Sequence, residues 1–251
     1  MMENSLKSQL KSGKRAIGCW LQYPSAHAAE ILAQSGLDFL LIDHEHGNGD
    51  VRSAVEEMRA LKGTGMAAMV RVPWNDATYF KRILDAGALN VLCPSVEDEA
   101  EAEAVARACL YPPRGRRGAG GGIRAASYGA DQTYFDAVEE QLLIAVQIET
   151  ARAVDRIEKI AAVPGIDMLF IGPRDLSASL GKLNRFDDPE LKALMATAEK
   201  RILGCGKYLG SVIYPGLTAV EMYQRGYHLL VGGSDTSFLL EGARKLRASA
   251  S

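Results

Sequence analysis

Eight short apolar runs, nearly every one followed by a segment with helical spacing, constrain this chain more than any other feature. They lie at residues 17–22, 39–42, 66–71, 90–93, 142–148, 167–171, 208–213 and 228–231. Strands that alternate with helices build parallel sheets, because a parallel neighbour needs a crossover connection. Eight such units favour a closed (β/α)8 TIM barrel, and 251 residues suit one such domain over residues 1–251. An open doubly wound sheet is the alternative. It would usually carry a glycine fingerprint after the first strand, and Gln22-Tyr23-Pro24-Ser25 is not one.

The punctuation between the runs supports the alternation. Ser25 and Asp50 stand where helix N-caps belong, and Gly36, Gly63 and Gly65 where helices stop. One helix is expected over residues 151–160 and a long one over 189–203. Residues 1–14 read as a polar lead. Residues 111–129 form a long segment rich in Gly and Arg, of the kind that is usually functional or mobile.

Composition narrows the function classes. Hydrophobic content of 47% and charged content of 24% suit a soluble protein with a full core. A net charge of -2 gives no reason to expect nucleic acid or an anionic membrane as partner. No apolar stretch nears the ~20 residues of a membrane span. Residues 1–12 lack the apolar region of a secretory signal, so a cytoplasmic location is expected. Cys19, Cys93, Cys109 and Cys205 are scattered, which favours reduced thiols over a zinc site or a disulfide frame.

All strands of a parallel barrel end on one rim, and catalysis sits there. The run at 39–42 stops at Asp43-His44-Glu45-His46-Gly47; burying those ionisable groups would be costly, so they belong at the strand mouth. The other ends bring Gln22, Arg71, Ser95, Gln147 with Glu149, Asp175 and Tyr214. Glu149 and Asp175 follow adjacent strands. Two carboxylates brought close repel unless a proton or cation lies between them, and oxygen donors select hard ions such as Mg²⁺ or Mn²⁺. Alternatively, Glu149 pairs with Arg152 and Asp175 caps the helix at Leu176. His46 is a candidate general base, with Asp43 or Asp85 to orient it. Arg71 could hold a carboxylate or stabilise a developing enolate, or else pair with Asp43 or Glu45.

Other readings find less support. A hydrolytic zinc site built on His44-x-His46 needs histidines at later strand ends, yet His228 starts its strand and His27 is on a helix. A Schiff-base aldolase needs a lysine inside a strand, and Lys207 stands at a strand entrance. The arginine loop from Arg114 to Arg124 suits an acidic substrate, a neighbouring subunit or plain solvation. Gly232-Gly233 suits either a phosphate nest or a tight turn.

Five motifs in order now resemble a known family. They are Asp43-x-Glu45-His46-Gly47, Val70-Arg71-Val72-Pro73, Tyr111-Pro112-Pro113-Arg114-Gly115-x-Arg117-Gly118, Gln147-Ile148-Glu149-Thr150 and Ile171-Gly172-Pro173-x-Asp175-Leu176-Ser177. Together they resemble the HpcH/HpaI family of metal-dependent (class II) pyruvate aldolases, from Gly18 to about Asp235. The resemblance implies a (β/α)8 barrel that cleaves a 4-hydroxy-2-oxo acid to pyruvate and an aldehyde. It implies Mg²⁺, Mn²⁺ or Co²⁺ on Glu149 and Asp175. Gln147, Gly172 and the backbone of Arg174 and Asp175 would fix pyruvate, Arg71 would stabilise the enolate, and His46 would move the proton, its basicity raised by Asp85. It implies a homo-oligomer, a hexamer or trimer of dimers, with the last helix exchanged between paired subunits and Arg124 near an adjacent site. Arg174 departs from the small residue common at that position. An oxaloacetate decarboxylase, an acyl-CoA lyase or a barrel that binds a metabolite without turnover are the competing functions.

Overall fold

A computed structural model describes residues 3–250. Its eight parallel strands close in sequence order into one barrel, β1 (Ala16–Leu21), β2 (Phe39–Asp43), β3 (Ala67–Arg71), β4 (Asn90–Cys93), β5 (Leu143–Ile148), β6 (Met168–Ile171), β7 (Tyr208–Val212) and β8 (Leu229–Ser234). The helices are α1 (Ser5–Lys11), α2 (Ala26–Leu32), α3 (Val51–Ala60), α4 (Ala77–Asp85), α5 (Glu99–Cys109), α6 (Tyr134–Gln141), α7 (Ala151–Asp155), α8 (Ile157–Ala161), α9 (Pro173–Ser179), α10 (Pro189–Gly204), α11 (Ala219–Gln224) and α12 (Asp235–Ser249). This is the TIM barrel that the alternation implies. Ser25 and Asp50 cap α2 and α3 as expected, each accepting backbone N–H bonds of the first turn.

Strand side chains alternate between the barrel interior and the helices. Leu40 and Ile42 join the shell beneath the helices, while Phe39 and Leu41 join the interior cluster with Met69, Leu92, Ala145, Phe170 and Val231. Interior rows therefore run Phe39-Leu41-Asp43, Ala67-Met69-Arg71 and Leu143-Ala145-Gln147. Each row is apolar until its last residue, which is polar and buried at the carboxyl rim. Register sets two of these side by side, since Asp43 pairs directly with Arg71 across β2 and β3.

Four expectations need correction. Within residues 1–14, Ser5–Lys11 form a helix whose Leu6 and Leu10 are buried against the interior cluster. Asn4 caps it and donates to Asn90 Oδ1 at 2.7 Å, while Lys7 reaches the carbonyl of Leu142 and Asp167. The helix thus plugs the amino-end rim. Residues 151–160 are two short helices rather than one, because Arg156 leaves helical geometry at φ -108°, ψ 5°. Gly232 and Gly233 lie inside β8 rather than after it, and Gly233 has φ +75° and lies against Phe238. Asp175 is not an N-cap; it sits in the first turn of α9 behind Gly172 and Pro173. Among the described residues no helix is long and apolar enough to cross a membrane. All four cysteines are free, three of them buried.

Candidate active site

The carboxyl rim gathers most of the expected groups into one cleft with two lobes. One lobe, about 400 Å³, includes Glu45, Ser95, Glu149 and Asp175; the other, about 390 Å³, includes Trp20, Arg71, Gln147, Gly172 and Arg174. His46 and Asp175 line both lobes, so they form the ridge between them.

Arg71 is fixed from below and from one side. Its Nε and Nη2 donate to the two oxygens of Asp43 at 2.9 and 2.7 Å, a bidentate pair that holds the guanidinium plane. Its Nη1 lies 2.9 Å from Glu45, and its cationic carbon stands 4.1 Å from the centroid of the Trp20 ring. Asp43 also accepts the backbone N–H groups of Glu45 and His46, which sets the turn that lifts the histidine into the cleft. Gly47 completes that turn. A Cβ there would collide with the carbonyls of Asp43 and Gln22.

Glu149 is 5% exposed and held by two donors. Ser95, in the left-handed region at φ 55°, turns its N–H onto Oε1 at 2.5 Å, and the Gln147 amide donates to Oε2 at 2.8 Å. Gly172 leaves room on the far side, since a Cβ there would stand 2.9 Å from Oε2. Burial pushes the Glu149 carboxyl up to about 7, helped by the charges of Asp175 and Glu45 and resisted by Ser95 and Gln147. Burial also raises Glu45, with Arg71 and His46 opposing and Asp43 and Asp175 assisting. The charges of Glu45, Glu149 and Asp175 thus bear on one another, with Arg71 and His46 opposing them at Glu45. Such a site takes up protons or a cation.

The donor set suits a hard divalent ion. Glu149 and Asp175 offer carboxylate oxygens, and Gln147 Oε1 is a buried acceptor that lacks a hydrogen-bond partner. Among the described residues no cluster of three or more His, Cys, Asp or Glu stands ready to enclose a metal. An ion of the Mg²⁺ type is commonly bound by one or two carboxylates and completed by substrate and water.

Not every expected residue arrives. Asp43 touches Arg71 and the backbone of the turn, not the imidazole of His46. Asp85 lies at the end of α4, on the opposite rim, where its carboxylate pairs with Arg117 Nη2 at 2.6 Å. A helix that follows a barrel strand runs back to the amino end, so Asp85 cannot orient His46 of its own chain. Arg124 is on that same rim, bonded to the carbonyl of Ala86 and lining a hollow with Asn4 and Asn90. His44 turns away from the cleft: its Nδ1 lies 2.6 Å from Tyr79 Oη, and burial lowers its affinity for a proton. The histidine pair therefore does not act as a pair. Lys207 bonds the carbonyl of Ile166, and His228 accepts from the N–H of Leu209, so neither reaches the cleft.

Trp20 is the group that sequence reasoning passed over. Glu45, read from the sequence as an alternative partner of Arg71, takes that place at 2.9 Å. Trp20 closes the interior row Ala16-Gly18-Trp20 and gave no signal of its own.

Residues 16–241 match the family described as HpcH/HpaI aldolase/citrate lyase. The chain is 38% identical to a hydroxypyruvate/pyruvate aldolase of Agrobacterium fabrum, over 98% of this chain and 92% of that protein. It is 37% identical to a 4-hydroxy-2-oxo-heptane-1,7-dioate aldolase of Escherichia coli, over 98% of this chain and 95% of that one. A crystal structure of an HpcH/HpaI aldolase/citrate lyase family protein from Burkholderia cenocepacia superposes with a TM-score of 0.94 at 36% identity, covering 99% of this chain and 100% of that chain. With the barrel, the rim cleft and these likenesses in agreement, the chain belongs to the HpcH/HpaI aldolase/citrate lyase family.

Proposed function

We propose that the protein is a divalent-metal-dependent class II pyruvate aldolase. It cleaves a 4-hydroxy-2-oxo acid to pyruvate and an aldehyde, and it runs the reverse addition. The observation that carries this reading is the convergence of Glu149, Asp175 and Glu45 beside Arg71 and His46 on one rim. The relatives named as pyruvate aldolases support the same reaction class.

Glu149 and Asp175 would hold Mg²⁺, Mn²⁺ or Co²⁺. When bound, such an ion draws electron density from the keto oxygen of pyruvate and makes its methyl group acidic. The chain's own groups do the rest. The Gln147 side chain and the N–H groups of Arg174 and Asp175, which the first turn of α9 leaves without helical acceptors, orient the keto acid. Arg71, pinned by Asp43, meets negative charge as it develops on the substrate oxygen, and a donor already in place costs nothing to reorganise. His46 takes the proton of the 4-hydroxyl as the carbon–carbon bond breaks and gives it to the enolate carbon that becomes the pyruvate methyl group; the addition runs the same transfers backwards. Trp20 shields Arg71 from water.

The test is pyruvate release from 4-hydroxy-2-oxo acids. Activity should vanish in chelator and return with Mg²⁺ or Mn²⁺. Activity that persists in chelator and is trapped by borohydride would point to an imine route instead.

We also infer that the working form is a cytoplasmic homo-oligomer, a hexamer arranged as a trimer of dimers with α12 exchanged. Of the α12 side chains only Asp235 is buried, while Phe238, Leu239, Leu240 and Leu246 are exposed. Such a face calls for a partner surface. In that assembly Asp85 and Arg124 would reach a neighbouring subunit's cleft. Light scattering should give a hexamer, and removal of residues 235–250 should break it down.

A further inference from the structure

The proposed chemistry uses the backbone of Arg174 but not its side chain. That side chain is exposed and has no ion pair or hydrogen bond among the described residues. It lines the inner lobe with Gln147 and Gly172, and it also lines a separate cavity of about 830 Å³ outside it. The outer cavity lies between the start of α10 and the connection from β7 to α11.

Its lining has a definite chemistry. Phe186 and Tyr214 form an apolar wall, ring centroids 6.2 Å apart and tilted by 32°. Lys192 is a second cation without an ion pair among the described residues. Arg225 also lines the cavity but is paired, 3.7 Å from Glu199. Asp187 is the one carboxylate in the lining, so positive charge is in excess. Unpaired cations around a concave, partly apolar space are suited to an anion carried on a short carbon chain. The inner lobe, at about 390 Å³, is of a size for a three-carbon keto acid. A second substrate joined to it would extend past Arg174.

We propose that the outer cavity receives the tail of the aldehyde, and that Arg174 selects aldehydes whose far end carries a carboxylate or a phosphate. The inference rests on the aldolase reading above. Arg174 is here a specificity-determining residue: its guanidinium reaches the tail, remote from the bond that breaks. Lys192 adds to the field at greater depth.

The experiment measures aldol addition of pyruvate to matched aldehydes. One pair is a four-carbon aldehyde with a terminal carboxylate and butanal; the other is a three-carbon aldehyde with a terminal phosphate and its unphosphorylated parent. Wild-type protein should prefer the anionic member of at least one pair by roughly tenfold or more in kcat/KM, chiefly through KM, as one charge-assisted contact implies. The pair that shows the preference identifies the anion. Arg174→Ala should bring that ratio close to one, Arg174→Lys should keep part of it, and Lys192→Ala should lower it by a smaller factor. Higher salt should narrow it. A wild-type ratio near one for both pairs, or a ratio that Arg174→Ala leaves unchanged, would overturn the proposal. Exchange of pyruvate methyl protons with solvent, measured on wild-type protein without aldehyde, separates the two ideas. If exchange is present and the ratio flat, only the tail subsite fails; if exchange is absent, the aldolase reading fails first.

Discussion

The two rims of the barrel hold their polar groups differently. At the amino end many of them find complementary partners, although Arg117 Nε and Nη1 are buried without one among the described residues. Asn90 accepts from Asn4 and donates to the carbonyl of Ala68, Asp38 accepts from Ile17 N–H and Gln9, and Lys7 meets Asp167. At the carboxyl end the charges of Glu45, Glu149 and Asp175 bear on one another, and an acceptor of Gln147 is left without a donor among the described residues. Satisfied groups hold a fold together; like charges gathered without balance cost stability and persist where a ligand relieves them. The contrast sets an acidic rim with an open cleft against a rim sealed by α1.

Substitutions at the two rims should have opposite effects on activity and stability. Glu149→Gln removes a charge from the crowded end. It should lower the retro-aldol kcat by roughly 10³-fold or more, while thermal melting of the metal-free protein at pH 8 shows equal or greater stability. A large loss of stability would show that the Glu149 charge is structural. Arg71→Lys keeps the charge but gives up the bidentate hold on Asp43. A fall in kcat/KM of about 10²-fold is expected, because an ammonium cannot reproduce the fork.

Leu10→Ala acts at the sealed end. Leu10 is 2% exposed beneath the barrel floor, so its truncation should destabilise by about 2–4 kcal/mol with kcat per folded molecule unchanged. A chemical-denaturation curve beside a steady-state assay checks both halves. A loss of activity in the folded protein would mean that the plug also tunes the cleft.

Smaller still is the dependence of stability on pH. Glu149 and Glu57 are both raised to about 7 in the folded protein, mainly by burial. The folded state therefore binds more protons than the unfolded chain between the ordinary carboxyl value near 4.5 and about 7. Stability of the metal-free protein should fall as pH rises through that window, by roughly 1–3 kcal/mol per group. Glu149→Gln and Glu57→Gln should each flatten part of the slope, and urea titrations at pH 5 and pH 8 would show it.

Much of the barrel was legible because its signal is local. Each apolar run, each N-cap such as Ser25 or Asp50, and each closing glycine can be read from a few neighbouring residues. The polar row ends Asp43, Arg71 and Gln147 were legible for the same reason. What escaped depended on register or on chain reversal. The alternative pairing of Arg71 with Asp43 or Glu45 was legible and both contacts form, but the register without offset that aligns Asp43 with Arg71 was not. Asp85 sits on the far rim because α4 runs back before it ends. The N-terminal helix was missed although Leu6 and Leu10 lie one helical turn apart behind Asn4; the polar residues around them hid a two-residue apolar stripe.

The most direct measurement is a titration of metal-free protein with Mn²⁺ in the presence of pyruvate, at pH 6.5, with proton release recorded. Wild-type protein should take up one ion per chain and release a proton as the ion displaces it from the acidic cluster, and Glu149→Gln should lose most of that affinity and of that release. Undiminished Mn²⁺ binding by Glu149→Gln, with the same proton release, would place the ion elsewhere and contradict the account.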